Sequence, residues 1–248
     1  MALRAFADGA LFAEAIGEGT PRVLALHGWG RRGADYRHAL AGLDALAVDL
    51  PGFGASPAPP AAMGAAGYAR AIEPLLAEFA SPPVVVGHSL GGRVAVCLAA
   101  ADPTRVGRLV LTGAPLVRFA SGRRPSPGYR FLRGLNRMRL FSNQRMEAIR
   151  RSRGSSDYRA ANGVMRDVLV TMVNESYETQ LRAIRSPVVL LWGEEDREVP
   201  VAVAETTLRV ITEAGGAAEL EVLAGVGHLL PTEAPDALRR VVDEALRR

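Results

Sequence analysis

Along this chain, apolar residues gather into short runs separated by longer stretches in which apolar and polar positions alternate with helical spacing. Seven runs have the length and β-branched content of strands: Leu11 to Ile16, Val23 to Leu26, Leu46 to Asp49, Val84 to Gly87, Leu109 to Thr112, Val188 to Trp192 and Ala218 to Leu223. Helices are predicted over Tyr36 to Leu43, Tyr68 to Phe79, Leu90 to Ala101, Val201 to Glu213 and Glu233 to Arg247. Strands that alternate with helices imply an α/β domain whose mainly parallel sheet is covered on both faces. Ala55 to Ala66, rich in proline and alanine, reads as a loop, because proline removes donors from any regular ladder.

Between Pro115 and Arg185 the pattern changes. Strand-like runs vanish, and helical, arginine-rich stretches follow breaks at Ser126-Pro127-Gly128, Ser142-Asn143 and Gly154-Ser155-Ser156-Asp157. In one such stretch Phe131, Leu135 and Met138 share a face while Arg130, Arg133 and Arg137 share another, so the apolar face is expected to pack inward. Thirteen arginines from Arg118 to Arg166 meet only Glu147 and Asp157, a formal +11 in a chain whose total is +4, so the remainder carries −7. A concentration of one sign raises the local potential and draws acidic partners or anionic substrates, unless it is simply a solvated surface. The chain has no lysine, so arginine identity by itself says little, but the clustering still calls for a cause. Nucleic acid is not expected, because no aromatic residues interleave on a flat basic face and no recognition motif is visible.

Size and composition add bounds. With 248 residues and 48% hydrophobic content, one large core with an insertion suffices. No apolar run is long enough to span a membrane and the start lacks a secretory pattern, so a cytoplasmic address is expected. The lone Cys97 falls on the helix predicted after Val84 to Gly87 and reads as a core thiol. The four histidines are dispersed without ligand spacing, so no metal is expected. Gly28 and Gly30 lack the third glycine and the downstream acid of a dinucleotide site.

Candidate chemistry begins at Gly87-His88-Ser89-Leu90-Gly91, placed between a strand and a helix. A turn that tight strains the serine backbone and needs glycines on either side, and it lifts the Ser89 hydroxyl clear of the sheet edge as a nucleophile. His27-Gly28-Trp29-Gly30 follows an early strand, so the Trp29 N–H is a candidate oxyanion donor, with the Leu90 N–H at a helix start as the second. His27 itself reads as a structural histidine bracing its loop. Asp196 follows the strand Val188 to Trp192 with strand-Gly-x-x-Asp spacing, which favours it over Glu194 and Glu195 as the acid that orients a histidine. His228, on the Gly-rich loop after the last strand, is the late histidine available as general base.

In this order Ser, Asp, His, the chain resembles the α/β-hydrolase superfamily. Asp49-Leu50-Pro51-Gly52-Phe53-Gly54-Ala55-Ser56 is similar to that family's D-x-P-G-x-G-x-S loop, and Gly227, His228, Glu233 and Pro235 are similar to its G-H-x-x-x-x-E-x-P ending. The resemblance implies a mainly parallel sheet of about eight strands flanked by helices, with a helical cap inserted after the sixth strand. It divides the chain into a core of residues 1–116 and 186–248 and a cap of residues 117–185. It implies a cofactor-free serine carboxylesterase working through an acyl-enzyme on a small-molecule ester. Ser89 stands where dehalogenases and epoxide hydrolases of the superfamily carry Asp, and Leu229 stands where carbon–carbon bond hydrolases place Trp. The His27 and Ser89 motifs with the basic cap are similar to carboxylesterases that cleave the methyl ester of an acyl group on acyl carrier protein. Other readings kept open are a carbon–carbon bond hydrolase, a cofactor-free acyltransferase or peroxidase, and a non-catalytic ligand receptor.

Overall fold

The computed structural model describes residues 2–118 and 156–248. Eight strands form one sheet in the order β1-β2-β4-β3-β5-β6-β7-β8. They are β1 (Ala2–Phe6), β2 (Leu11–Ile16), β3 (Val23–Leu26), β4 (Ala45–Asp49), β5 (Val84–His88), β6 (Arg108–Thr112), β7 (Val188–Gly193) and β8 (Ala218–Leu223). β1 with β2 and β2 with β4 pair antiparallel, and every other pair is parallel. β1 was not expected: all but one of its residues are exposed, so this edge strand carries no buried apolar run to reveal it.

Successive residues of a strand point to opposite faces, and both faces of this sheet are covered. Leu24, Leu26, Leu46 and Val48 join one core with Tyr68, Ile72 and Val94, while Val23, Ala25, Ala45 and Ala47 join the other with Tyr36, Leu40, Leu238 and Val242. The helices are α1 (Ala65–Ile72), α2 (Leu90–Ala101), α3 (Ser156–Ala160), α4 (Gly163–Asn174), α5 (Glu178–Ala183), α6 (Val201–Glu213), α7 (Leu230–Glu233) and α8 (Pro235–Arg247). Cys97 is buried in α2, where burial pushes its thiol up to about 12, in keeping with a core role.

Three predicted helices come out differently. Tyr36 to Leu43 is not an α-helix: a short 3-10 turn at Gly33–Tyr36 leads into further turns that end at Gly42, whose φ is +82°. The segment is pinned where Gly33 N–H donates to Asp49 (2.7 Å) and Tyr36 hydroxyl donates to the Leu26 carbonyl (2.9 Å). Tyr68 to Phe79 splits into α1 and a 3-10 segment, Glu73–Glu78, because Pro74 has no N–H to continue the helix. Glu233 to Arg247 breaks at Ala234, whose φ −134° and ψ 57° ahead of Pro235 are not helical, so α7 and α8 are separate.

The chain leaves β6 at Thr112 and returns to β7 at Val188, as expected for an insertion after the sixth strand. The described part of that insertion is helical. Tyr177 N–H donates to the Leu116 carbonyl, Arg118 to the Asn174 carbonyl, and Glu175 accepts both the Tyr177 hydroxyl and the Ala65 N–H at the start of α1. The expected face of Phe131, Leu135 and Met138, and most of the arginine cluster, lie outside the described residues.

Candidate active site

Strand order reverses between β3 and β5, since β4 lies on one side of β3 and β5 on the other. Crevices at the carboxyl ends of strands beside such a reversal are where open α/β sheets bind ligands. His27 to Trp29 follow β3, Ser89 follows β5, Asp196 follows β7 and His228 follows β8. All five predicted site residues are thus carried by the carboxyl ends of strands, or, for Leu90, by the first turn of the helix after β5.

Ser89 has φ +49° and ψ −107°, a conformation that L-residues avoid and that costs on the order of 1–3 kcal/mol. Its surroundings allow nothing bulkier in the turn. A Cβ on Gly91 would overlap the Leu26 carbonyl, one on Gly87 would lie 2.7 Å from Gly92 Cα, and one on Gly92 would lie 2.5 Å from Ala114 Cβ. The strained residue is held by its own N–H, which donates to the Thr112 carbonyl (2.9 Å), and by Gly91 N–H, which donates to the His27 carbonyl (3.0 Å).

Asp196 is buried, and its two oxygens do different work. Oδ1 accepts the N–H groups of Glu198 (2.9 Å) and Val199 (2.8 Å), while Oδ2 accepts from His228 Nδ1 (2.8 Å). Trp192, fully buried, donates its indole N–H to the Val199 carbonyl (2.8 Å) and so anchors the same loop. Of the three acids predicted to compete, Asp196 reaches the histidine; Glu194 and Glu195 are exposed. The His228 loop is braced by Glu233, which accepts Gly227 N–H (2.6 Å) and Leu229 N–H (3.3 Å). Its close approach needs Gly193, where a Cβ would overlap the Val226 carbonyl, and Gly113, where one would lie 2.9 Å from His228 Cε1.

Burial disfavours the charged form of His228, yet the hydrogen bond and charge of Asp196, with Glu198 and Glu233, outweigh it and hold the ring above its ordinary 6.5. With Nδ1–H committed to Asp196, the basic lone pair is on Nε2. The ring centroid of His228 lies 4.9 Å from that of His88, the residue before Ser89. No hydrogen bond joins Ser89 Oγ to any described residue, His228 included; Glu198 Oε2 lies 3.6 Å from Nε2. His88 is buried and hydrogen-bonded through Nδ1 to Thr112 Oγ1 (3.0 Å), and burial, with the neighbouring His228, drives it down to about 3.

His27 is the structural brace expected. Nδ1 donates to the Gly28 carbonyl (2.7 Å) and Nε2 accepts Leu50 N–H (3.0 Å), tying this loop to the one after β4. Burial lowers its pKa, so it stays neutral. Asp49 organises the second loop by accepting the Gly33 and Ala55 N–H groups, and Ser56 donates to the Asp49 carbonyl. Among the described residues neither Trp29 N–H nor Leu90 N–H has an acceptor. Trp29 packs edge-on against Phe53, with centroids 5.0 Å apart. Glu198 and the bracing role of Glu233 were not recognised from sequence, although Glu233 stood inside the quoted ending motif.

An eight-stranded sheet with a strained serine at the end of β5 and an Asp–His pair beside it defines an α/β-hydrolase. The chain belongs to the alpha/beta hydrolase family, which it matches over residues 23–241. It is 30% identical to a 2-hydroxy-6-oxononadienedioate/2-hydroxy-6-oxononatrienedioate hydrolase of Dechloromonas aromatica, over 91% of this chain and 86% of that protein. It is 43% identical to a pimeloyl-[acyl-carrier protein] methyl ester esterase of Chromobacterium violaceum, over 41% of this chain and 39% of that protein. A solved esterase from Thermogutta terrifontis has the same fold, with a TM-score of 0.68 at 22% identity over 98% of this chain and 95% of its own. Among the described residues no helix is long and apolar enough to cross a membrane, and no three His, Cys, Asp or Glu side chains are grouped to hold a metal ion.

Proposed function

We propose that this protein is a serine hydrolase that cleaves a carboxylic ester through an acyl-enzyme intermediate, with Ser89 as nucleophile, His228 as general base and Asp196 as its orienting acid. The observation that carries the reading is the strained backbone of Ser89, φ +49° and ψ −107°, at the strand end next to a His228–Asp196 pair of 2.8 Å. A fold does not need that strain; a hydroxyl that must project toward a base does. Nε2 of His228 takes the Ser89 proton as Oγ attacks the carbonyl carbon, and Asp196 stabilises the resulting imidazolium. The N–H groups of Trp29 and Leu90, which have no acceptor among the described residues, receive the oxyanion. His228 then returns the proton to the leaving alcohol, and water repeats the two steps to release the acid. Ser89 and His228 are not hydrogen-bonded in the free enzyme, and such contacts commonly tighten only when substrate binds.

Residues 117–185 are assigned to a cap over this site: Met165 of α4 packs where a Cβ on Gly52 would stand, in the loop after β4. Its arginines would receive an acidic partner or an anionic substrate tail. A second reading, carbon–carbon bond hydrolysis of a dienoate, is favoured by the Dechloromonas relative, which aligns over most of the chain; Leu229 after His228 speaks against it. The deciding experiment is a panel of chromogenic esters of varied acyl length, with Ser89→Ala as control, run beside a 2-hydroxy-6-oxo-dienoate. Ester turnover lost in Ser89→Ala supports the proposal; turnover of the dienoate alone refutes it.

A further inference from the structure

The loop after β7 does more than present Asp196. Because Asp196 Oδ1 accepts the Glu198 N–H (2.9 Å) while Oδ2 accepts from His228 Nδ1 (2.8 Å), residue 198 is fixed beside the imidazole by the carboxylate that orients it. The Glu198 side chain, 71% exposed, turns back over the ring and brings Oε2 to 3.6 Å from Nε2. We propose that Glu198 is a positioning residue of the catalytic imidazole, pairing with Nε2 whenever His228 is protonated, so that with Asp196 each ring nitrogen faces its own carboxylate. The inference rests on the reading of His228 as the base.

The consequence follows from the two protonation states. Neutral His228 points a lone pair from Nε2, which a carboxylate repels, so Glu198 swings into solvent and leaves the vertex to the Ser89 hydroxyl. Protonated His228 offers an N–H at that vertex, and Glu198 closes on it. Glu198 therefore stabilises the imidazolium in the resting enzyme at acidic pH; when the ring takes the serine proton, the Nε2–H is aimed at the leaving oxygen and Glu198 acts on it through charge alone. The other charged or titratable groups around the ring do not substitute for it. Asp196 is on the opposite nitrogen, Glu233 of α7 is engaged by the Gly227 and Leu229 N–H groups, and His88 at the end of β5 is kept neutral by burial and by the adjacent His228.

The test uses the full chain and its Glu198→Gln and Glu198→Asp variants. The His228 ring is titrated by NMR, its resonance identified by its loss in His228→Asn, and kcat/KM for a neutral chromogenic ester is followed against pH. In Glu198→Gln both the ring titration and the acid limb should move down by about 0.2–0.7 pH units, the range of an exposed ion pair, and 1 M salt should shrink the shift. Glu198→Asp, which keeps the charge, should fall between the two. A ring that titrates at the same pH in wild type and Glu198→Gln overturns the pairing. A shifted ring with an unmoved acid limb overturns its part in catalysis. Absence of any ester turnover would count against the proposed function, while the ring titration still decides the pairing.

Discussion

Replacing Ser89 by glycine instead of alanine separates the strain of the elbow from the loss of its hydroxyl. Both variants delete the oxygen, which has no hydrogen-bond partner among the described residues, and both should be inactive. Alanine keeps the Cβ and therefore the unfavourable conformation at φ +49°, ψ −107°. Glycine adopts positive φ freely, which recovers about 1–3 kcal/mol of strain, against about 0.5–1 kcal/mol for its greater freedom in the unfolded chain. The net expectation is that Ser89→Gly exceeds Ser89→Ala by roughly 1 kcal/mol, at most about 2.5 kcal/mol, and each 1 kcal/mol raises Tm by about 2–4 °C for a chain of this length. Urea unfolding followed by circular dichroism should show the midpoint moving up with the slope unchanged. A glycine variant no more stable than the alanine variant would mean that the turn stores no more strain than the roughly 0.5–1 kcal/mol that glycine loses to chain entropy, and the argument for a purpose-built nucleophile would fail.

Three further outcomes follow from the contacts at the site. In Asp196→Asn the Glu198 and Val199 N–H groups hold the amide oxygen at Oδ1, so the NH2 faces Nδ1 and forces the proton onto Nε2; kcat should fall by about 10³–10⁴-fold in steady-state assays. Glu233→Ala releases two N–H groups of the His228 loop to water, with an expected stability loss of about 1 kcal/mol and a drop in kcat of roughly 10- to 100-fold as the imidazole loses its placement. Stability should also depend on pH with a definite sign. His88, lowered to about 3 by burial and by His228, binds a proton in the unfolded chain but not in the folded one between 6.5 and 3. Its contribution is therefore lost as pH falls through that window. His228, raised above 6.5, contributes fully below that value and loses its share as pH climbs past the folded pKa. Urea midpoints across pH should fall on the acid side in wild type and fall less in His88→Asn.

What could be read from the chain depended on whether a residue's role is local. β3, β5 and β7 are continuous apolar runs because they are buried on both faces, and their positions were legible to within a residue. β1 was not, because a strand exposed at the sheet edge is held by pairing with β2, a contact that leaves no hydrophobic pattern of its own. The helix expected from Tyr36 failed for a related reason: its spacing is helical, but Gly33 and Tyr36 are held by Asp49 and Leu26, on strands that periodicity within the segment does not register. The same division runs through the site. Ser89 is marked by glycines that its own turn requires, whereas Glu233 acts on backbone N–H groups four and six residues away and shows only as a spaced motif. Glu198 left no mark at all, because in sequence it is one more acid beside Glu194, Glu195 and Asp196. Only the hydrogen bond from its N–H to Asp196, closing a turn of two residues, brings its carboxylate to the far side of an imidazole thirty residues downstream.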